Sequence, residues 1–418
     1  MAALGAAAAP RRLSQEEVDA ICARHERLWA ARPGGARAVF AWCDLSGLDL
    51  SGRNLCDADF TGATLAACDF SRSRLDNANF FGADLQECVI VEASLRRADL
   101  RGACLRGADL TGADLFECDL REGSIAAADS EKGFRVLTHD VRVSEARGAI
   151  LAGANLERSK MSGVIAIKAD FSDAILKDAK LVRANLKQAN MTGCDLAGAD
   201  LSGADLSGAD LKDAILVGAI MVSARLDDVD MTCVLTDAPK GADVVALPYA
   251  DMLREHALWC ETDGASGAPS CFDKADLRRL GSIKRYNLTA LSAKAAVFYG
   301  LDMEGVQLQG AHLEEADLRN CNLRRADLRG ARLARAKLAG ADLRDAQLGP
   351  LLIGTERILP SDLTQASLKS ADCSGADFRQ AVLSGADLSR ANFSRAQMKQ
   401  ADITGAELRG ARGLPEAF

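Results

Sequence analysis

The chain has 418 residues, a formal net charge of −8 at pH 7, a pI near 5.3 and only 5% aromatic residues. This acidic balance argues against direct binding of nucleic acid, and no apolar run approaches the ~18 residues of a membrane span. The cysteine count is odd, at thirteen, and the sequence shows no secretory signal, which together predict a reduced cytoplasmic protein.

The first residues, 1–12, are alanine-rich and end in Pro-Arg-Arg, so we expect a disordered tail. Ser14 precedes Gln-Glu-Glu, which predicts a helix with a serine N-cap and an acidic first turn. The helix should run to about Ala31 and stop before Pro33. Its apolar stripe is suited to covering the repeats that follow and comprises Val18, Ile21, Cys22, Leu28 and Trp29.

A five-residue pattern begins at Phe40: a small residue, Asp or Asn, Leu or Phe, then two residues rich in Ser, Arg, Gly and Thr. Ala58–Gly62 and Ala204–Gly208 are typical units. Residues five apart spiral around an α-helix, and a long strand requires period two. The small and bulky residues, two apart, would point the same way from a short extended segment, and the next two positions suit a turn. The pattern therefore predicts a coil with alternating large and small core layers.

This pattern resembles the pentapeptide repeat family over roughly three quarters of the chain. The resemblance implies an all-β solenoid, a right-handed quadrilateral β-helix with four units, or twenty residues, per coil. Two spacings within the sequence agree with this, because Phe40, Phe60 and Phe80 are twenty residues apart, as are Cys68 and Cys88.

Two breaks interrupt the pattern after its start. Around 126–133 the phase shifts by one residue, which predicts a short bulge or loop with degenerate units resuming at Val136 and Val141. Residues 236–282 contain a helix predicted from about Asp243 to Cys260 and a Gly/Ser-rich stretch.

A Leu-Trp pair, a glycine turn and a phenylalanine open the repeats at 28–40 and recur at 258–272. We therefore expect two tandem solenoids, each preceded by an α-helical cap. The predicted organisation is a disordered tail at 1–12, an N-terminal helical cap at 13–35, a first solenoid at 36–235, a helical insertion and Gly/Ser linker at 236–271, a second solenoid at 272–413 and a C-terminal tail at 414–418.

Cysteine and histidine offer little chemistry in this pattern. Most cysteines stand where alanine usually does, as small buried residues, although a disulfide between Cys68 and Cys88 is conceivable. His256, Cys260 and Cys271 could be drawn as metal ligands, but nothing supplies a fourth ligand, and a structural cap is the favoured alternative. We expect no metal and no cofactor.

Catalytic signatures are missing as well. The many carboxylates recur because the repeat recurs, so no pair stands out as an acid and base. The sequence contains no phosphate-binding loop, nucleophile elbow or zinc-protease motif. We expect no catalytic residues and no enzyme activity.

Charge is distributed unevenly along the chain. Residues 40–125 carry 8 basic and 15 acidic groups, whereas 281–418 carry 19 basic and 16 acidic groups. The acidic groups are either solvated outward positions, with aspartate also bonding turn backbone, or a charge ladder for a partner.

Two groups of residues are candidates for protein contact. The basic group would stack in columns at the twenty-residue spacing, Arg324 on Arg344 and Lys337 on Arg357, unless ordinary pairing with nearby Asp and Glu side chains neutralises it. Its candidate residues are Arg324, Arg325, Lys337, Arg344 and Arg357.

The other candidates are apolar residues at outward positions late in the first solenoid, above all Ile215 and Ile220. Exposed apolar clusters usually contact something. The nearest occupant is the helix at 243–260, which should cover the end of the first solenoid and bury Trp259.

These features favour a non-enzymatic protein-interaction scaffold or adaptor with an unidentified protein partner, without contact to nucleic acid or membrane. The family resemblance implies an alternative, a DNA-mimic protein that binds a type II topoisomerase (gyrase) and protects it from inhibitors. The chain departs from that pattern because its second solenoid is basic and it lacks the C-terminal helical module.

The last coil shows no obvious cap, since only 409–418 follow the repeats. Leu414 and Phe418 could plug the final core layer within one chain. Alternatively, two chains could meet there, and we favour such an end-to-end homodimer.

Overall fold

The computed structural model describes residues 10–129, 133–237, 248–354 and 357–414. The chain divides into two compact units, Met1–Lys240 and Gly241–Phe418. Each unit encloses its own buried hydrophobic cluster, built mainly from the small and bulky positions of the five-residue pattern. In the part of the chain that is described, no helix has both the length and the apolar character needed to cross a bilayer.

The repeats form coils in which residues twenty positions apart lie side by side. Asp59 bridges in parallel to Asn79, and Asn79 to Asp99. In the interior coils the bulky and small residues of each repeat are buried, and the residue between them points outward. The second turn residue takes a positive φ, for example 60° at Asp57 and 61° at Gly62, so the chain changes direction after each short extended segment. The result is a β-helix with four units per coil.

Stacked phenylalanines show the coil length directly. The ring centroids of Phe40 and Phe60 are 5.0 Å apart, and those of Phe60 and Phe80 are 4.7 Å apart. Phe70 meets Phe60 edge to face at 5.7 Å. All four rings are buried, as their twenty-residue and ten-residue spacings predict.

Aspartate recurs because it closes the turns. Oδ1 of Asp109 and Oδ1 of Asp210 each accept the backbone N–H two residues later, at 2.9 Å. Asn190 does the same at 3.1 Å. Such local bonds satisfy a turn donor that no strand reaches. A structural role therefore accounts for the outward aspartates, as the first of the two interpretations of the acidic charge proposes.

Helix α1 spans Gln15–Trp29 and begins as the sequence predicts. Ser14 and Glu17 form a capping box, in which each side chain accepts the backbone N–H of the other residue. Leu28 and Trp29 were expected in the buried stripe, but both are exposed, because the last turn lies past the helix's last buried contact. The buried side chains of α1 are Val18, Cys22 and His25.

The predicted tail is wrong at its C-terminal end. Strand β1 (Arg11–Arg12) pairs in parallel with β2 (Cys43–Asp44) and so extends the edge of the first coil. An open strand edge offers unpaired backbone groups, which explains why these two residues are recruited. Residues 1–9 lie outside the described residues.

A hairpin interrupts the first unit where the sequence predicts only a bulge or loop. Strands β3 (Gly123–Asp129) and β4 (Gly133–Arg142) are antiparallel, and residues 130–132 between them are not described. Coil partners around the hairpin are 41 residues apart instead of 20. The degenerate units predicted at Val136 and Val141 are therefore wrong, since both residues belong to β4.

A second hairpin, which the sequence does not predict, interrupts the second unit. Strands β5 (Leu351–Ile353) and β6 (Arg357–Leu359) are antiparallel. Around it, Arg332 bridges to Asp362, thirty residues away. Ten extra residues equal two repeat units, so the phase of the pattern is unchanged and the insertion is hidden.

Helix α2 spans Tyr249–Glu261, and a 3-10 turn follows at Arg278–Leu280. Leu253 of α2 is buried in the cluster of the second unit, and the Tyr249 ring lies 5.9 Å from the ring of Phe272. The prediction that this helix covers the first solenoid is therefore wrong, because its apolar face is used by the coil that follows it.

The same prediction also concerned Trp259 and the start of the helix. Trp259 is only half-buried, because it lies at the C-terminal end of α2 next to the His256 ring. The part of the predicted helix at 243–247 lies outside the described residues.

Where the chain re-enters the coil after each hairpin, a buried serine hydrogen-bonds to backbone groups. The Ser144 hydroxyl accepts the Gly102 N–H at 2.9 Å and lies 2.9 Å from the carbonyl of Arg121, just before the hairpin. The Ser361 hydroxyl accepts the Gly330 N–H at 3.1 Å and donates to a carbonyl at 3.0 Å. The hydroxyl thus bonds to backbone groups at the point where the insertion diverts the strand.

Replacing Ser361 by Ala should destabilise the second unit by about 1–3 kcal/mol, because the Gly330 N–H loses its buried partner. The matched control is Ser159→Ala, since Ser159 is equally buried in a small position but its hydroxyl has no hydrogen-bond partner among the described residues. Denaturant unfolding of both variants measures the difference. Equal effects would mean that the Ser361 bonds contribute nothing.

At the far end of the second unit, Leu414 packs partly buried against the core, as the plug alternative requires. Phe418 lies outside the described residues. The end-to-end homodimer stays a prediction, to be measured by light scattering over micromolar concentrations.

Candidate docking surface on the second unit

Most arginines that follow an Asp-Leu pair are clamped by that aspartate. Arg344 donates to Asp342 through Nε at 2.8 Å and through Nη2 at 2.5 Å, while Asp342 also accepts the Arg344 backbone N–H. Burial raises the pKa of Asp342, but the bonds from Arg344 outweigh it and hold that pKa below its ordinary value. The same clamp occurs at Arg101, Arg121, Arg278, Arg319, Arg329 and Arg379.

The structure brings together only part of the predicted basic group. Arg324 and Arg344 stack in neighbouring coils, because Asn322 bridges to Asp342. Arg324 is half-buried, and its Nε has no hydrogen-bond partner among the described residues. Arg325 beside it is exposed and makes no ion pair with any described residue.

The predicted stacking of Lys337 on Arg357 is wrong. Lys337 bridges to Ser367, because the second hairpin moves the next coil ten residues down the chain. Arg357 instead lies exposed on β6 of that hairpin. Lys337 has an electrostatic or hydrogen-bonding partner within the protein. The basic group is therefore one short column, Arg324 and Arg344, and a separate arginine on a protruding hairpin.

The second hairpin exposes large apolar side chains. Leu352 and Ile358 face each other across the strands and are 62% and 56% exposed. Ile353, opposite Arg357, is 44% exposed. Ile353 and Ile358 match the bulky period of the repeat, so the sequence predicts them in the core, whereas both are exposed.

The hairpin is anchored from beneath. Leu351 and Leu359 pair across the strands and pack over Gly330, where an added Cβ would lie 2.8 Å from Cβ of Leu351. Gly330 also has a φ of 66°, so glycine is required there by both space and backbone. Ser361 closes the base of the hairpin by its bonds to the coil. The outward pair is therefore presented from a fixed support.

The apolar candidates of the first unit are separated by the structure. Ile215 is buried, which contradicts its prediction as an exposed contact residue, whereas Ile220 is exposed. Ile215 lies between Asp195 and Leu235 of the neighbouring coils, whereas Ile220 bridges only to Asp200 among the described residues.

Histidine joins both cap helices to their coils, a role that the sequence does not reveal. Nδ1 of His25 accepts the N–H of Ala38 at 3.0 Å, and Nδ1 of His256 accepts the N–H of Ser270 at 3.0 Å. Each donor, Ala38 or Ser270, lies two residues before the first phenylalanine of its repeats, Phe40 or Phe272. The matched spacing within the duplicated heads is the signal that could have identified both residues.

Their surroundings are structural and not metal-binding. His256 Nε2 lies 3.2 Å from the carbonyl of Thr289, and the Cys260 thiol lies 3.6 Å from that same oxygen. Cys271 is exposed. In the described residues no group of His, Cys, Asp and Glu is arranged to hold a metal ion.

The sequence profile of the family described as Pentapeptide repeats matches residues 43–115, 146–232, 307–345 and 361–412, more than half of the chain. The chain belongs to the pentapeptide repeat family. Proteins of this family fold as right-handed β-helices, in agreement with the coils described above. The gaps between matched segments contain both hairpins and α2.

Similar solved structures include a pentapeptide repeat protein of the Arabidopsis thaliana thylakoid lumen, 28% identical with a TM-score of 0.22, over 28% of this chain and 66% of that one. HetL, involved in heterocyst differentiation regulation in the cyanobacterium Nostoc sp., is 24% identical with a TM-score of 0.15, over 96% and 98%. QnrB1, a plasmid-mediated fluoroquinolone resistance protein, is 19% identical with a TM-score of 0.28, over 55% and 99%. No curated protein matches the chain.

One face of the first unit in this pentapeptide repeat protein is strongly acidic. Parallel bridges place its outward side chains in a single row from Asp49 to Asp230. None of its aspartates forms an ion pair with a described residue, whereas Asp99, Asp195 and Asp205 on other faces do. They are Asp49, Asp69, Asp109, Asp170, Asp210 and Asp230.

All thirteen cysteines are free thiols, and the stacked pair predicted as a conceivable disulfide is no exception. The thiols of Cys68 and Cys88 donate to the carbonyls of Leu45 and Leu65, at 3.0 and 2.9 Å. Burial raises the pKa of Cys68 to about 11 and that of Cys88 further still. Both thiols are therefore protonated, unreactive core residues at neutral pH.

Proposed function

We propose that this pentapeptide repeat protein is a non-enzymatic interaction scaffold, built as two tandem quadrilateral β-helical solenoids that each carry a helical cap. Its partner is a protein. The observation that carries the proposal is the second hairpin, which keeps Leu352 and Ile358 largely in water on an anchored support.

The fold itself does not account for that exposure. The hairpin replaces a two-residue turn, and in the interior coils of both units the repeat buries its bulky residues almost completely. Leaving a Leu or Ile side chain in water forgoes about 1.5–3 kcal/mol of burial. Clustered exposed apolar side chains generally mark interaction sites.

Rigidity supports the same conclusion. Outward side chains start from strands held on both sides by backbone bonds, and many are fixed by aspartate turns or arginine clamps. A surface that is already ordered loses little conformational entropy on binding. A scaffold with preformed contact positions benefits from this property.

Affinity purification of the full chain from its native cell, with chemical cross-linking, tests the proposal. We expect a reproducible partner protein whose cross-links map to defined coils or hairpins of this chain. Recovery of the chain alone, across growth conditions, would reject the scaffold function.

The acidic face favours a second candidate function, binding of a type II topoisomerase by mimicry of DNA charge. Its carboxylates make no ion pairs with described residues, so they are available to a basic groove. A gyrase supercoiling assay with a fluoroquinolone distinguishes the candidates. Protection by the wild type that is lost in Asp109→Asn/Asp170→Asn/Asp210→Asn would favour this second function, and no effect of the wild type would exclude it.

A further inference from the structure

The apolar pair on the second hairpin stands next to uncompensated positive charge. Arg357 lies on the same hairpin, opposite Ile353. Arg332 bridges to Asp362, three residues after the end of β6, and Arg325 lies at the preceding corner of the coil. All three arginines are exposed, and none forms an ion pair with a described residue.

Five other arginines of the unit differ from these three, because each of the five is clamped by an aspartate: Arg278, Arg319, Arg329, Arg344 and Arg379. The carboxylate in register with Arg332 is Asp362, which forms no ion pair with a described residue and whose Oδ1 accepts the N–H and hydroxyl of Thr364, at 3.0 and 2.6 Å. Glu356 at the hairpin tip lies outside the described residues. The described surface around the hairpin therefore combines apolar side chains with free guanidinium groups.

We propose that the hairpin β5–β6 binds an acidic protein segment, one that places apolar side chains against Leu352 and Ile358 and carboxylates against Arg357 and Arg332. This inference rests on the scaffold function and names the chemistry of its partner. Guanidinium groups pair with carboxylates in a bidentate manner, which gives direction and specificity to a contact whose apolar part has little of either.

A second copy of the chain fits this hairpin less well. A two-fold contact between two hairpins would bring Arg357 of one protomer towards Arg357 of its partner and would repeat the like charge of Arg332. Charge complementarity therefore favours a carboxylate-bearing partner.

The test uses a phage-displayed library of random peptides, panned on the full chain and counter-selected on Leu352→Ser/Ile358→Ser. Both substitutions are at exposed positions, so the variant should fold with an unchanged unfolding midpoint. We expect enriched peptides to combine Asp or Glu with large apolar residues. Their affinity should fall as salt rises, because the carboxylate contacts are exposed.

Resynthesised peptides then locate the site by fluorescence anisotropy. We expect affinity to fall about tenfold or more in Leu352→Ser/Ile358→Ser and in Arg357→Glu. The matched controls are Leu408→Ser and Arg395→Glu, which make the same changes at exposed residues elsewhere in the unit and should leave affinity unchanged.

Three outcomes would overturn the inference: enrichment of basic or uncharged peptides, binding that ignores the hairpin substitutions, or self-association in sedimentation that the hairpin variant abolishes. The last would make a second copy the occupant. Native partners recovered equally by wild type and hairpin variant would preserve the scaffold function while rejecting this site for it.

Discussion

Leu211→Asp should unfold the first unit of the protein and leave the second unit folded. Leu211 is fully buried between the layers of the first core. The substitution removes a buried leucine, which alone costs about 2–5 kcal/mol, and requires a carboxylate without a partner in an apolar stack. Total stability of a domain is only about 5–15 kcal/mol, so the loss is large enough to unfold the coils.

The loss should stay within one unit because each unit has a separate buried cluster. In a stacked repeat protein each coil contacts only its neighbours, so a loss of stability spreads only through adjacent coils. Calorimetry should therefore show two unfolding transitions for the wild type and one for the variant. Circular dichroism of the variant should retain the signal of the second unit.

The adjacent substitution Asp210→Asn is the matched control. Asp210 points outward, and among the described residues its carboxylate accepts only the N–H of Lys212, at 2.9 Å. The side-chain oxygen of Asn190 accepts an equivalent N–H, so asparagine can make this bond. We expect a change of about 0.5 kcal/mol or less. Similar effects of the two substitutions would contradict the assignment of inward and outward positions.

The repeat geometry could be predicted from sequence because the pattern is local and redundant. Two inward residues per unit, a turn and a twenty-residue spacing recur so often that single exceptions do not disturb them. Phe60 stacks between Phe40 and Phe80 for this reason. The capping box of Ser14 and Glu17 is likewise a local signal and was found.

Insertions were predicted only when they changed the phase of the repeat. The first hairpin adds 21 residues to a coil of 20 and shifts the pattern by one, so a break was visible although its size was not. The second hairpin adds ten residues, which equal two whole repeats. Ile353 and Ile358 therefore fall at positions that the repeat usually buries, although both are exposed. Of the hairpin residues in the candidate docking surface, the sequence therefore predicted only Arg357, and it predicted the wrong neighbour for that residue.

The coil against which a cap helix packs is decided by tertiary contacts, and no local sequence pattern encodes these contacts. The apolar face of α2 suits either the coil before it or the coil after it, and Leu253 packs in the second. His25 and His256 act through backbone groups more than ten residues away. The sequence indicated His256 only as a conceivable metal ligand with Cys260 and Cys271, and it indicated no role for His25, because a backbone partner leaves no signature in composition.

Acidification from about pH 7.5 to about pH 5.5 should destabilise both cap helices, because His25 and His256 are buried as neutral rings. Nδ1 of each ring accepts a backbone N–H, so a proton added there would face another donor. Burial lowers the pKa of His25 against the attraction of Asp57 and Glu26, and it lowers the pKa of His256 against the bond to Thr289.

The lowered pKa values of the two histidines determine how stability changes with pH. Below the ordinary histidine pKa of about 6.5, the unfolded chain binds protons that the folded caps exclude, so stability falls as pH falls. Above that value both states are neutral and the contribution is complete. The aspartates with lowered pKa, such as Asp342, lose their contribution only at lower pH, near and below their own ordinary range.

The measurement is the denaturant midpoint at both pH values for the wild type and for His25→Gln/His256→Gln. Glutamine can accept the same backbone N–H but takes up no proton, so the variant should lose most of the pH dependence between these values. His312→Gln, at a partly exposed histidine outside both caps, is the control and should keep it. A wild-type midpoint that does not fall on acidification, or a double variant that falls equally, would show that the caps bind through their apolar residues alone.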